Sequence, residues 1–202
     1  MHLQSVITLI YKKGDPSIIS NYRPIALLNT DFKILQKLLN LRLKPHLLFL
    51  LSPHQYVKPT SSASHCSIVL RDLYQYAKYQ KTNSFYVSLD FKKAFDSISY
   101  NWLIKLLHKL NFPHTFINYI ASIQKHATST ILVNGTQTEP FSINRGVHQG
   151  DPLSLTLFTL AINALLEYIN TNKEITPSPT PLKNKQSIIA YADDLTLTIT
   201  NQ

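Results

Sequence analysis

The chain is short of cysteine, glycine, acidic residues and long apolar runs, and each shortage closes off a class of protein. Cys66 is its single cysteine, which excludes an internal disulfide and a multi-cysteine zinc site. A lone thiol agrees with a reducing compartment. The longest uninterrupted apolar stretch, Leu47 to Leu51, is five residues, against the roughly 20 that a membrane-crossing helix needs. The opening MHLQSVITLIYKK has neither a positive start nor a small-residue cleavage site, so no secretory signal peptide is expected. With 11 Asp and Glu against 20 Lys and Arg, the net charge is +9. That excess favours a polyanionic partner, nucleic acid most simply, with an acidic membrane surface as the other candidate. The eight histidines are scattered, with no pair four apart on a helix, and read as surface residues rather than metal ligands.

A core is affordable. The chain has 202 residues and is 44% hydrophobic, enough for one large domain or two small ones and too apolar for wholesale disorder. Residues 5–11 (SVITLIY) predict a strand and KKGDPS after them a turn. NYRP at 21–24 is extended, since Pro24 restricts Arg23. In DFKILQKLLNLRL (31–43), Phe32, Leu35, Leu38 and Leu39 fall at helical spacing behind a Thr30 or Asp31 cap. Residues 45–63 contain Pro45, Pro53 and Pro59 and predict broken structure. A second helix near 64–80 has Val69, Leu70, Leu73 and Ala77 on one face.

SFYVSLD (84–90) alternates, with Phe85, Val87 and Leu89 on one side and Tyr86, Ser88 and Asp90 on the other. Helices are expected near 98–110 and 114–126, parted at Pro113, then a hairpin about Asn134-Gly135. The stretch 150–170 predicts a buried helix, with Asp151 as its cap and Pro152 at its first position. A polar loop covers 171–187, and its TPSPTP segment (176–181) can be neither helix nor central strand. The chain closes on a hairpin. Strands separated by helix pairs, without an internal repeat, point to an α+β fold.

The closing hairpin, IIAYADDLTLTI (188–199), sets Asp193 beside Asp194 at a bend between apolar runs. Asp is a good turn residue, so an ordinary turn is one reading. The other is a divalent metal. Asp90 ends an alternating strand 103 positions earlier (193 − 90). If the two strands are neighbours, three carboxylates meet at one sheet edge, where mutual repulsion would protonate one of them unless a cation intervened. Mg²⁺ takes oxygen ligands, keeps several waters and borrows substrate phosphate oxygens. Two such ions roughly 3.5–4 Å apart can activate a hydroxyl and stabilise a leaving oxygen in phosphoryl transfer. RGVHQGDPLS (145–154) sets two of the four glycines ahead of a helix start. A tight turn explains that, as does backbone approaching an anion. Taken singly, Phe95 reads as core, and Lys12, Lys13 and Arg23 as surface charge.

NYRPIALLNTDFKILQKLLNLRL, LDFKKAFDSI, RGVHQGDPLS and YADD, in this order, resemble the reverse transcriptase domain of non-LTR (LINE-type) retrotransposons, from about residue 6 to the end. The resemblance implies a right-hand polymerase, fingers and palm, with an antiparallel palm sheet flanked by helices and the thumb absent. Residues 1–64 would be a fingers-like part. Residues 65–202 would be palm, with a fingers-like insertion at about 111–147 and the palm's C-terminal end missing.

The same resemblance makes Asp90, Asp193 and Asp194 the catalytic metal ligands, Asp194 the less direct. It sets Phe95 beneath the sugar, excluding a 2′-hydroxyl, and Arg23 on the triphosphate with Lys12 or Lys13 as helper. Gln149 and Gly150 would lie near nucleotide and template, and Tyr191 beside the primer end. The implied cofactor is a pair of Mg²⁺ ions, with Mn²⁺ as a substitute. The implied partners are an RNA template, a DNA primer and a dNTP, with no membrane. His148 stands where the family often has Arg, and Leu155 where it usually has Pro.

The chain stops eight residues after Asp194 (202 − 194), short of the family's further palm elements and thumb. A fragment is expected, marginally stable and prone to aggregate. The alternative to a polymerase is a non-catalytic, nucleic-acid-binding remnant of a retrotransposon. A carboxylate-metal nuclease would leave Phe95 and the Gly-rich helix start unexplained.

Overall fold

The computed structural model describes residues 4–180 and 188–200. In chain order these form β1 (Gln4–Tyr11), β2 (Tyr22–Leu27), α1 (Thr30–Leu43), α2 (Leu47–Leu50), α3 (Ala63–Tyr79) and β3 (Ser84–Leu89). There follow α4 (Tyr100–Lys109), α5 (His114–His126), β4 (Thr128–Val133), β5 (Thr136–Gln137) and β6 (Phe141–Ser142). The chain then runs through α6 (Ser154–Thr171), β7 (Ile188–Tyr191) and β8 (Asp194–Thr200). They divide into two compact units, residues 1–41 with 95–157, and residues 42–94 with 158–202. Among the described residues no helix is long and apolar enough to cross a membrane.

In the first unit β1 pairs antiparallel with β2 and parallel with β4, giving the order β2-β1-β4-β5, with β6 also against β4. The sheet is therefore mixed. Pro24 is tolerated inside β2 because this is the edge strand, where a missing N–H breaks no ladder. The extension expected at 21–24 begins at Tyr22, because Asn21 closes a 3₁₀ turn, and runs on to Leu27. Ser5 and Ser129, both buried, satisfy each other by a hydroxyl bond of 2.6 Å. The hairpin about Asn134-Gly135 forms as expected, with Val133 opposite Thr136.

Helix α1 corrects its sequence pattern. Its buried residues are Phe32 and Gln36, while Leu38 is exposed. The reason is polar: Asn40 donates to the Pro152 carbonyl at 2.9 Å and accepts from the Thr156 hydroxyl at 2.6 Å. Those bonds turn the Gln36–Asn40 side of the helix inward at the expense of the leucines. Helices α4 and α5 bury Leu103, Leu106, Leu107, Ile117 and Ile120, and Pro113 stands between them as predicted.

The helix expected from residue 150 begins at Ser154. Asp151 accepts from the Leu153 N–H at 3.0 Å and the Ser154 hydroxyl at 3.3 Å. That side-chain turn occupies the residues ahead of α6 and delays its start. Residues 154–157 of α6 belong to the first unit and 158–171 to the second. Most of its apolar residues are buried, though Leu155, Leu165 and Tyr168 are exposed.

The second unit is built on an antiparallel sheet in the order β3-β8-β7. Cys66 and Leu73 of α3 pack with Ile189, Tyr56 and Tyr86. On β3 it is thus the Tyr86 side that meets the helix, and Phe85 and Val87 are exposed. The sheet's other face is dense too: Ile188, Ala190 and Leu195 are fully buried. The start of the TPSPTP segment lies along β8, with the Ser178 N–H on the Thr198 carbonyl and the Thr200 N–H on the Thr176 carbonyl, both 3.0 Å. It is neither helix nor central strand. Residues 181–187 of the polar loop lie outside the described residues.

Candidate functional site

β3 and β8 are hydrogen-bonded neighbours, with Leu89 opposite Leu195 and Ser88 opposite Thr196. Carried one residue further, that register sets Asp90 across from Asp194. β7 and β8 close on each other with Tyr191 opposite Asp194, so Ala192 and Asp193 alone make the turn. Asp90, Asp193 and Asp194 therefore gather at one end of one sheet. Asp90 and Asp194 are exposed and Asp193 is partly so. Asp194 is near enough to the start of α3 to help raise the Cys66 thiol, whose pKa is pushed up mainly by burial. Tyr191, also exposed, ends β7 beside the turn.

Among the described residues, these three aspartates included, no group of three or more His, Cys, Asp or Glu is placed to hold a metal ion. Mg²⁺ does not require one, since it is commonly held by one or two carboxylates, water and substrate phosphates. The donor set at this sheet end, all hard carboxylate oxygens open to solvent, fits that cation. The histidines read as surface residues in the sequence. Two of them are not on the surface, however. His54 is buried, and burial pushes both His54 and the partly buried His148 below the usual imidazole range.

The remaining predicted residues lie in the first unit. Phe95 opens a short 3₁₀ turn, Phe95–Ser97, and its carbonyl accepts the Val147 N–H at 2.9 Å. The Gly146 N–H reaches the Ile98 carbonyl at 2.8 Å, and the Gln149 carbonyl accepts the Ala26 N–H at 2.9 Å. Residues 95–98, RGVHQGDPLS and β2 are thus stitched together through backbone. Both glycines are needed for it. Gly146 has φ +91°, and a Cβ there would stand 2.7 Å from the Asp96 backbone. Gly150 has φ +110°, and a Cβ would stand 2.7 Å from the Ala26 carbonyl oxygen. Arg23 lies on β2 opposite Ile10, and Lys12 directly follows the end of β1. Lys13 falls in the turn that follows, and all three cations are exposed.

A pocket of about 220 Å³ opens beside Gln149, lined also by Pro24, Ala26, Asp96, Arg145 and His148. Arg23 and Phe95 do not line it. Deeper in the same unit burial lifts the Asp151 carboxyl to about 6, against the hydrogen bonds it accepts. The Tyr100 and Tyr119 phenols are pushed up to about 12 by burial.

Residues 10–202 match the model of the reverse transcriptase (RNA-dependent DNA polymerase) family. The chain belongs to that family. It is 35% identical over 196 residues to the transposon TX1 uncharacterized 149 kDa protein of Xenopus laevis, covering 96% of this chain and 15% of that protein. It is 34% identical over 194 residues to the Pol polyprotein of the type-1 retrotransposable element R2 of Popillia japonica, covering 94% of this chain and 26% of the other. These relatives make it a reverse transcriptase domain of a LINE-type, non-LTR element, spanning 15% and 26% of their length. Its fold is similar to part of Candida tropicalis telomerase, solved with a fragment of telomeric RNA: TM-score 0.68 at 16% identity, over 99% of this chain and 36% of that one. The α+β fingers-and-palm expectation holds.

One residue at the sheet end had no signal in the sequence. Gln55 is fully buried, and its side chain reaches the aspartate turn. It comes from the stretch read only as broken structure, 137 positions from Ala192.

Proposed function

We propose that this reverse transcriptase domain carries the catalytic centre of an RNA-directed DNA polymerase, joining dNMP from a dNTP to a primer 3′-hydroxyl on an RNA template. What supports the reading most is the pairing of β3 with β8, which brings Asp90 to the end of the sheet where Asp193 and Asp194 stand. Asp90 and Asp193 would hold two Mg²⁺ ions, or Mn²⁺ in their place, with Asp194 less directly engaged. Bound there, the metals supply Lewis acidity to the attacking hydroxyl and the departing pyrophosphate. The chain's own part is positional. Arg23, with Lys12 or Lys13, meets the triphosphate as fixed positive charge. Phe95 closes the space a ribose 2′-hydroxyl would need. Gln149 and Gly150 lie near nucleotide and template, and Tyr191 beside the primer end. Residues 1–64 act as fingers and 65–202 as palm, with a fingers-like insertion at about 111–147.

Primer extension on an RNA template with Mg²⁺ tests this. Incorporation of dNTP by the chain, lost in Asp193→Asn, is the expected result. Equal behaviour of the two proteins would remove the catalytic assignment. The +9 charge also suits a remnant that binds nucleic acid without catalysis. Salt-sensitive RNA binding with no extension by either protein is the outcome that favours it.

A further inference from the structure

The turn bearing Asp193 leaves a polar group in a bad place. In a two-residue hairpin loop the first loop residue has no strand partner for its N–H and C=O. Here that residue, Ala192, is only 7% exposed. A buried peptide group without partners is costly, so some other group must meet it. Gln55 does so. Its Oε1 accepts the Ala192 N–H at 3.1 Å, and its Nε2 donates to the Ala192 carbonyl oxygen at 3.5 Å. The same Oε1 accepts the Val57 N–H at 3.2 Å, which fixes the carboxamide plane from its own side.

The backbone around Gln55 is fixed as well. The His54 carbonyl accepts the Ala190 N–H at 2.9 Å and the Tyr56 N–H donates to the Ala190 carbonyl at 2.8 Å. Gln55 thus lies in parallel register beside Ala190, and its side chain reaches two residues further along β7 to the turn. An amide side chain offers an acceptor and a donor on separate atoms at one tip without charge. A carboxylate would add a fourth negative group beside Asp90, Asp193 and Asp194.

We propose that Gln55 is a positioning residue for the metal-ligating turn. It holds Ala192 in its left-handed conformation (φ 54°) and so sets the peptide from which Asp193 projects. Its effect on metal presupposes the proposed role of Asp193, and its effect on the turn does not.

The test uses amide hydrogen exchange on the full chain, with binding of Mn²⁺ alone followed by electron paramagnetic resonance. In the wild type the Ala192 N–H is expected to exchange at least about 100-fold more slowly than the Gly135 N–H, which lies in a turn with no such support. Similar exchange at both would overturn the clamp without any variant. In Gln55→Leu, Ala192 protection is expected to fall about tenfold or more, while Leu195 and Leu197 keep theirs. Half-saturation by Mn²⁺ is expected to rise about tenfold, the scale on which an outer partner of a metal ligand acts.

Should Gln55→Leu fail to fold, Gln55→Glu carries the same question. Protonated, its carboxyl again has one donor and one acceptor, so Ala192 protection is expected to return as pH falls. Protection unchanged across pH would count against the proposal. Asp193→Asn separates the two premises. If it leaves Mn²⁺ binding intact while Gln55→Leu frees Ala192, the metal reading fails and the clamp stands. If it abolishes binding while Gln55→Leu alters neither readout, the metal reading stands and the positioning role is overturned.

Discussion

Two hairpins of this chain have loops of equal length and opposite construction. Asn134 and Gly135 join β4 to β5 at φ 50° and 80°, both exposed, and a Cβ on Gly135 would meet nothing within 4 Å. Asn-Gly is the pair that the primed turn itself prefers, so this turn is made by its own two residues. Ala192 and Asp193 join β7 to β8, and Ala192 takes φ 54°, a conformation that costs a non-glycine residue about 1–2 kcal/mol. Its flanking strands are buried through Ile188, Ile189, Ala190 and Leu195, and Gln55 holds it from outside the hairpin. The first turn is chosen locally and the second is imposed. An imposed turn can carry residues that turn chemistry would not select, including two adjacent like charges open to solvent.

The sharpest contrast between them is chemical. Asp193→Asn is expected to lower metal-dependent primer extension by at least about 100-fold, the scale of removing one group that stabilises a transition state. Asn134→Asp, the reverse exchange at the other hairpin, is expected to leave the rate within about twofold. Single-turnover extension at saturating Mg²⁺ measures both. A similar loss from both variants would mean that general stability, and not the aspartate, is being read.

Stability should separate them next. Leu195 is fully buried directly after the aspartates, and Leu195→Ala is expected to cost about 2–5 kcal/mol. Val133, the residue before Asn134, is 45% exposed, and Val133→Ala is expected to cost under about 1 kcal/mol. Urea denaturation of the two variants decides. Equal costs would show that the β7–β8 turn is no more dependent on its surroundings than the other.

The same distinction governs what could be read in the sequence. Asn134-Gly135, Pro113 between helices and the alternation of 84–90 are local signals, and each predicted its element. The aspartate turn was legible as a motif, because the motif is contiguous. Its support was not: Gln55 lies among prolines, with no periodicity to mark it. The buried face of α1 departs from its leucine spacing for a related reason. Leucine spacing is visible in sequence, whereas the bonds from Asn40 to Pro152 and Thr156 depend on residues more than a hundred positions away. The delayed start of α6 came from Asp151 folding back on Leu153 and Ser154, a choice between cap and side-chain turn that composition leaves open.

The Gln149–Pro152 bend belongs with the imposed class, since Ala26 holds it from β2, and it should betray this by pH. The Asp151 carboxyl, at about 6 when folded, lies above its ordinary value of 3.8. The folded state then binds the proton more tightly than the unfolded one. Stability from this group is full below about pH 4 and is lost as pH rises towards about 6. Two units correspond to roughly 3 kcal/mol as an upper bound. Asp151→Asn keeps an acceptor for Leu153 and cannot ionise. Its stability relative to wild type is expected to grow between pH 4 and pH 7. A constant difference over that range would place Asp151 in a solvated site and move the bend to the local class.

The smallest effect bears most directly on how the two turns are made. Gly135→Ala puts a Cβ on a residue at φ 80° with open space around it, so only backbone strain opposes it, and a loss of about 1 kcal/mol is expected. Ala192→Gly is the reverse change. It relieves a similar strain, but it also frees the unfolded chain by about 0.4–1 kcal/mol and removes a buried methyl. These nearly cancel, so a change within about 0.5 kcal/mol is expected. If Ala192→Gly stabilised the protein by 1 kcal/mol or more in urea titration, backbone strain would dominate the second turn too. Gln55 would then be relieving a cost that a glycine removes by itself. If the variant is neutral in stability yet weakens Mn²⁺ binding, the alanine has a different value: a Cβ at that position narrows the conformations open to the next residue, Asp193.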